Sequence, residues 1–149
     1  MQTRFLTCLL VLLGLAAAPA RAEEWQTDYD KALATAKAEN KRVLLDFTGS
    51  DWCGPCIALK KKVFTQPEFA EYAAKNLVLV EVDYPNKKVL PDAVKQQNER
   101  LKKQYGIEDK GFPTIVVLGP DGKILGEFSG YRGEGPAEFI AKIEMMKGS

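Results

Sequence analysis

Val43-Leu44-Leu45-Asp46-Phe47, then Thr48-Gly49-Ser50-Asp51, then Trp52-Cys53-Gly54-Pro55-Cys56 is the stretch that decides the fold. The first five residues read as a buried strand, apolar on both faces except at Asp46. Thr48 to Asp51 form a turn, and a helix is predicted to open at about Gly54 or Pro55, where proline suits a first turn. Two thiols two residues apart can close a small disulfide ring and open it again. Placed where a strand meets a helix, the first of them gains nucleophilicity from the helix N-terminus, which lowers its pKa. A gap of two residues makes a tiny loop that restrains little of the unfolded chain, so stapling is a poor explanation for the pair. Redox chemistry or metal binding remains.

The rest of the chain narrows that choice. One other cysteine occurs, Cys8, inside an apolar run from Phe5 to Ala18. Arg4 precedes this run and Ala20-Arg21-Ala22 follows it, the pattern of a secretory signal with a small-x-small cleavage site. The run is short for a membrane span, the alternative being an uncleaved anchor. The expectation is therefore a cleaved signal peptide over 1–22 and one domain over 23–149. It leaves a mature chain whose two cysteines both lie in the motif, in a disulfide-permissive compartment, the periplasm.

The 149 residues carry 21 basic and 20 acidic side chains, a formal charge of +1, and no histidine. Without Arg4 and Arg21 the balance becomes about −1, with no basic stripe of the kind nucleic acid needs. Lys60-Lys61-Lys62 reads as a solvated helix face. The absence of histidine removes Ser-His and Cys-His catalysis and most zinc and haem sites. Metal binding survives as a Cu(I) site on the cysteine pair, or as nothing.

Hydrophobic periodicity supplies the remaining elements. A helix capped by Thr27 or Asp28 runs to about Asn40. Beyond the cysteines, Ile57, Leu59 and Val63 continue a helix, and Thr65-x-x-Glu68 suggests a capping box that restarts it to about Ala74. Leu77 to Asp83 is a strand and Tyr84 to Lys88 a polar connection. Asp92 caps a helix with Val94, Leu101 and Tyr105 inward, ended by Gly106. Gly111-Phe112-Pro113-Thr114 leads into a strand at Ile115–Leu118. Gly119-Pro120-Asp121-Gly122 turns the chain into an antiparallel strand over Lys123–Phe128. A loop at Gly130–Gly133 precedes a helix from Glu138 to Met146. No repeat or low-complexity stretch interrupts this order.

This constellation resembles the thioredoxin family over nearly all of residues 25–147. The carriers are Val43 to Phe47, Asp51 to Cys56, Gly111 to Thr114, the Gly119–Gly122 hairpin and Gly130. The Thr48-Gly49-Ser50-Asp51-Trp52-Cys53 loop is similar to that of secreted bacterial thioredoxin-like proteins. The resemblance implies an α/β thioredoxin-like fold, a central mixed β-sheet of about four strands flanked by helices. It implies that Cys53 is the attacking thiolate, exposed at the helix start, and that Cys56, more buried, resolves the mixed disulfide. It places Trp52, Gly54, Pro55, Phe112 and Pro113 at the substrate, with Pro113 cis and the backbone of Phe112 pairing with an extended substrate strand. Gly130 and Tyr131 would complete the groove. Asp46 would take the proton of the resolving cysteine, its pKa raised by burial.

Two departures from the family stand out. Asp46 is one residue farther from Cys53 than in ordinary thioredoxins. The lysine that commonly accompanies the buried acid is replaced by Leu79, with Glu81 nearby, and Ile57 replaces the usual lysine after the second cysteine. Both changes remove positive charge near the sulfurs. The function implied is an exported thiol–disulfide oxidoreductase acting on protein or peptide disulfides as a monomer. It would need no cofactor beyond its own cysteine pair and would be re-reduced by a membrane thiol donor. A disulfide oxidase or isomerase is the alternative within redox chemistry. A copper-binding module or a peptide-binding module is the alternative outside it.

Overall fold

The computed structural model describes residues 24–148; the predicted signal segment and Cys8 lie outside the described residues. Four strands form one sheet in the order β2-β1-β3-β4: β1 (Arg42–Thr48), β2 (Leu77–Asp83), β3 (Thr114–Leu118) and β4 (Ile124–Ser129). β1 and β2 are parallel, joined by a helical crossover, while β3 and β4 are antiparallel to their neighbours. The expected mixed sheet of about four strands is the one observed. Beyond it, Gln26 makes an isolated parallel bridge to Val80 on the outer side of β2.

Strand alternation divides the sheet into two apolar faces. Val43, Leu45 and Phe47 of β1 face α1 (Tyr29–Glu39) and α4 (Asp92–Gln104), packing with Ala32, Ala36 and Leu101. Leu44 faces the other way, with Leu77 and Leu79 of β2, onto α2 (Gly54–Leu59), α3 (Pro67–Asn76) and α5 (Pro136–Met145). The period of two then puts Asp46 and Glu81 on this second face, beneath α2. Phe69 and Phe139, both fully buried, fill the centre of that layer.

The helix ends correct three expectations. Asp28 caps α1 as predicted, its side chain accepting from the Lys31 N–H at 3.0 Å. Thr65 builds no capping box: its hydroxyl donates to the Lys61 carbonyl at 2.9 Å, and Gln66 is the N-cap of α3. The hydroxyl is occupied in closing a π-helical turn over Lys60–Phe64, which separates α2 from α3. Asp92 is the first residue of α4 and not its cap. The Pro91 carbonyl takes the Lys95 N–H at 3.0 Å, so Pro91 stands at the N-cap. α5 begins at Pro136, two residues before the predicted Glu138, because proline is well suited to a first helical turn.

Candidate active site

Cys53 is the N-cap of α2, with extended backbone, and Cys56 lies one turn in. The two sulfurs are bonded at 2.06 Å. The Cys56 N–H donates to Cys53 Sγ at 3.3 Å, so the first sulfur already receives a donor from the helix start. The expected contrast in exposure is absent in this disulfide form: Cys53 is 5% exposed and Cys56 4%. In the closed ring Cys53 Sγ faces the helix start, where the Cys56 N–H reaches it. Gly54 and Pro55 are the exposed residues of the ring.

The loop before Cys53 is fastened by three successive residues. Ser50 donates through its N–H (2.9 Å) and hydroxyl (2.6 Å) to the buried Asp83 carboxylate. The Asp51 carboxylate accepts the N–H groups of Asn86, Lys87 and Lys88 at 2.8, 2.7 and 3.0 Å. These donors, Asn86 first, hold the Asp51 carboxyl below the usual carboxylate range. Trp52 donates its indole N–H to the Tyr84 carbonyl at 2.7 Å. Ser50, Asp83 and Tyr84 do not stand out in the sequence, and Asp51 does so only as part of the Asp51–Cys56 motif. A polar loop after one strand and an acid-containing loop after its parallel neighbour are the sequence signal, because both end at the same sheet edge.

The register Phe47↔Thr114 brings Pro113 to that edge, beside the segment that delivers Cys53. The Phe112–Pro113 peptide is cis. Phe112 lies edge-on to Trp52 (centroids 5.8 Å, interplanar angle 79°) and stacks on Tyr84 (5.2 Å, 27°). The aromatic cleft so formed measures about 380 Å³ and carries Lys88, Lys95 and Lys102 along its walls. Gly130 donates its N–H to the Pro113 carbonyl at 2.8 Å, so it joins the same edge. Tyr131 packs on the α5 side of the core and gives its hydroxyl to the Glu134 carbonyl, 2.7 Å away.

Behind the disulfide, Asp46, Cys56, Lys60 and Glu81 line a common cavity of about 290 Å³. Asp46 is buried, and its Oδ1 has no hydrogen-bond partner. Burial first, then the Glu81 carboxylate, pushes its pKa up to about 8; Lys60 opposes this and Asp83 adds to it. Lys60 Nζ sits 3.0 Å from Glu81 Oε1. The basic run Lys60–Lys62 is exposed, as expected of a solvated face, and Lys60 also reaches Glu81 from it. The positive charge missing from position 79 returns from α2's continuation. Among the described residues, no group of three or more Cys, His, Asp or Glu side chains is placed to hold a metal ion.

Fold and site together define a thiol–disulfide oxidoreductase of the thioredoxin class. The model of the thioredoxin-like domain family matches residues 29–147, and the chain belongs to that family. Among known proteins it is similar to the "Disulfide bond reductase DsbH" of Chlamydia pneumoniae, 34% identical, with 94% of this chain and 91% of that one covered. A solved "DsbH Oxidoreductase" matches with a TM-score of 0.75 at 34% identity, covering 93% of this chain and 91% of the other. A disulphide isomerase from Xylella fastidiosa Temecula1 matches with a TM-score of 0.61 at 28% identity, covering 91% and 99%.

Proposed function

We propose that the chain is an exported protein-disulfide reductase that works through a Cys53/Cys56 dithiol–disulfide cycle. The observation that carries this reading is the Cys53–Cys56 bond at the start of α2, on the sheet edge that also presents Phe112 and Pro113. In the reduced protein the Cys53 thiolate attacks one sulfur of a substrate disulfide. That S–S bond breaks, a Cys53–substrate bond forms, and the first substrate thiol leaves. Cys56 then gives its proton to Asp46 and attacks Cys53 Sγ. The Cys53–Cys56 bond forms and the second substrate thiol departs, so two electrons have passed to the substrate. Trp52, Gly54, Pro55 and the backbone of Phe112 frame the substrate strand.

The likeness to a protein named as a disulfide bond reductase supports the direction of electron flow. The signal pattern over residues 1–22 supports export to the periplasm. In that compartment a reductase must be recharged, and a membrane thiol carrier is the donor that fits. Isomerisation, the alternative that shares the same exchange chemistry with oxidation, is favoured by the likeness to a solved disulphide isomerase.

Equilibration in thiol buffers separates the two. A potential near about −270 mV together with insulin reduction is expected of a reductase, and one near about −120 mV would reverse the assignment. A Cys56→Ser variant is expected to hold its substrates as mixed disulfides on Cys53. Capture of none from exported proteins would remove protein disulfides as the substrate.

A further inference from the structure

Asp46 is a proton acceptor that lacks a direct partner of its own. Its Oδ1 is buried and unbonded, and its neighbour across β3 is the apolar Ile115. Across β2 its register partner is Glu81, a second carboxylate on the same face of the sheet. Adjacent strands lie about 5 Å apart, so the two acids are immediate neighbours. A cation reaches them from the helix. Lys60 is four residues beyond Cys56, hence on the same helical face one turn on. It begins the π turn, whose widened bond runs from the Thr65 N–H to the Lys60 carbonyl at 3.0 Å. Its side chain is 56% exposed, yet Nζ is 3.0 Å from Glu81 Oε1, and Glu81 is only 15% exposed. Lys60 thus spans from solvent to the mouth of the cavity that Asp46 and Cys56 share.

We propose that Lys60 and Glu81 are positioning residues that act on Asp46 with opposite sign, Glu81 favouring its protonated carboxyl and Lys60 its carboxylate. This rests on the role given to Asp46 above. The charge states explain the device. With all three groups ionised the cluster carries one net negative charge, and with Asp46 protonated it is neutral. Without Lys60 those states carry two negative charges and one, so the carboxylate becomes harder to form. Without the Glu81 charge they become neutral and singly positive, so the proton is harder to hold. The pair keeps Asp46 able to accept the Cys56 proton and then release it through the cavity mouth. Two other charged groups lie near Asp46, and Asp83 adds to the push toward the protonated carboxyl. Asp83, farther along β2, is engaged by Ser50, and Lys61 lines the same cavity from the π turn.

The test is the carboxyl-carbon NMR titration of Asp46 in the oxidised protein, where neither cysteine titrates and no turnover occurs. Lys60→Gln is expected to raise the Asp46 midpoint, and Glu81→Gln to lower it, each by about one pH unit. The double variant should fall between them, and Lys60→Arg should restore the native value. An ion pair that merely fastens helix to sheet would leave the midpoint in place, or move it the same way from either side. Either result overturns the proposal. Insulin reduction measured on the same variants keeps the two readings apart. Native turnover with an unmoved Asp46 sinks this device alone, whereas opposed midpoint shifts in a protein without reductase activity sink only the assigned reaction.

Discussion

The indole of Trp52 lies on the bare face of Gly49: a Cβ at position 49 would stand 2.4 Å from Trp52 Cε2. The same two residues close the turn, since the Gly49 carbonyl accepts the N–H of Trp52 at 3.3 Å as well as that of Cys53 at 2.9 Å. Gly49 is therefore required by close approach, and the ring it admits forms one wall of the aromatic cleft. Gly49→Ala is expected to push the indole outward at a cost of about 1–3 kcal/mol, the usual range for overpacking. Urea unfolding measures the loss. In a Trp25→Phe background, the emission of Trp52 should shift to longer wavelength as the ring leaves Tyr84 and Phe112. Unchanged emission would show that the site has room for a methyl group.

Asp46 makes stability depend on pH. Its carboxyl lies at about 8 in the folded oxidised protein against an ordinary 3.8. Between those values the folded state binds the proton more tightly than the unfolded chain does. The Asp46 contribution to stability is thus greatest below about pH 4, falls as pH rises toward 8, and levels off above. Asp46→Asn, neutral throughout, should match the native protein near pH 4 and exceed it by roughly 3–5 kcal/mol at pH 8. Urea midpoints of the oxidised protein at pH 4, 6 and 8 check this. Equal stability at pH 8 would mean that the ionised Asp46 finds a partner.

Asp51 behaves in the opposite sense. Three backbone N–H donors favour its charged form, so its clip holds above the ordinary carboxylate range and weakens only as pH falls below it. Asp51→Ala should speed hydrogen exchange at the amides of Asn86, Lys87 and Lys88, which lose their acceptor. Mass spectrometry of the corresponding peptide reads the effect. Native-level protection there would assign the fastening of the loop to Ser50 and Asp83.

Gly130 adopts φ +80°, where a side chain meets the backbone, while its N–H is tied to the Pro113 carbonyl. Gly130→Val is expected to cost about 1–2 kcal/mol in a thermal melt. It should also slow insulin reduction, because the segment it displaces is bonded to Pro113. A melt equal to that of the native protein would show that the loop re-forms with another backbone geometry at no cost.

Much of the fold was written in local pattern. Buried runs at 43–47, 77–83 and 115–118 became β1, β2 and β3, because short, mostly apolar stretches of that length suit strands covered on both faces. The caps were less legible. Thr65 and Asp92 both carry capping side chains, and each lost the position to a neighbour, Gln66 and Pro91, that the backbone path preferred. Local preference of about 1 kcal/mol at a cap yields to the geometry of a crossover helix that must pack on the sheet.

Residue order alone determined that Cys53 and Cys56 would meet, since three positions along the first turn of a helix are always close. It also determined that Asp46 would share a sheet face with Leu44, by the period of two. Tertiary structure decided what surrounds them. Glu81 neighbours Asp46 through the β1–β2 register, and Lys60 reaches Glu81 across 21 positions of chain. Asp51 finds its donors 35 to 37 residues away. Such partners are fixed by strand register and by the reach of long side chains from a neighbouring element. Neither leaves a periodic trace in sequence, so the charge absent at Leu79 is supplied by Lys60, a solvent-facing lysine whose reach to Glu81 only the tertiary structure sets.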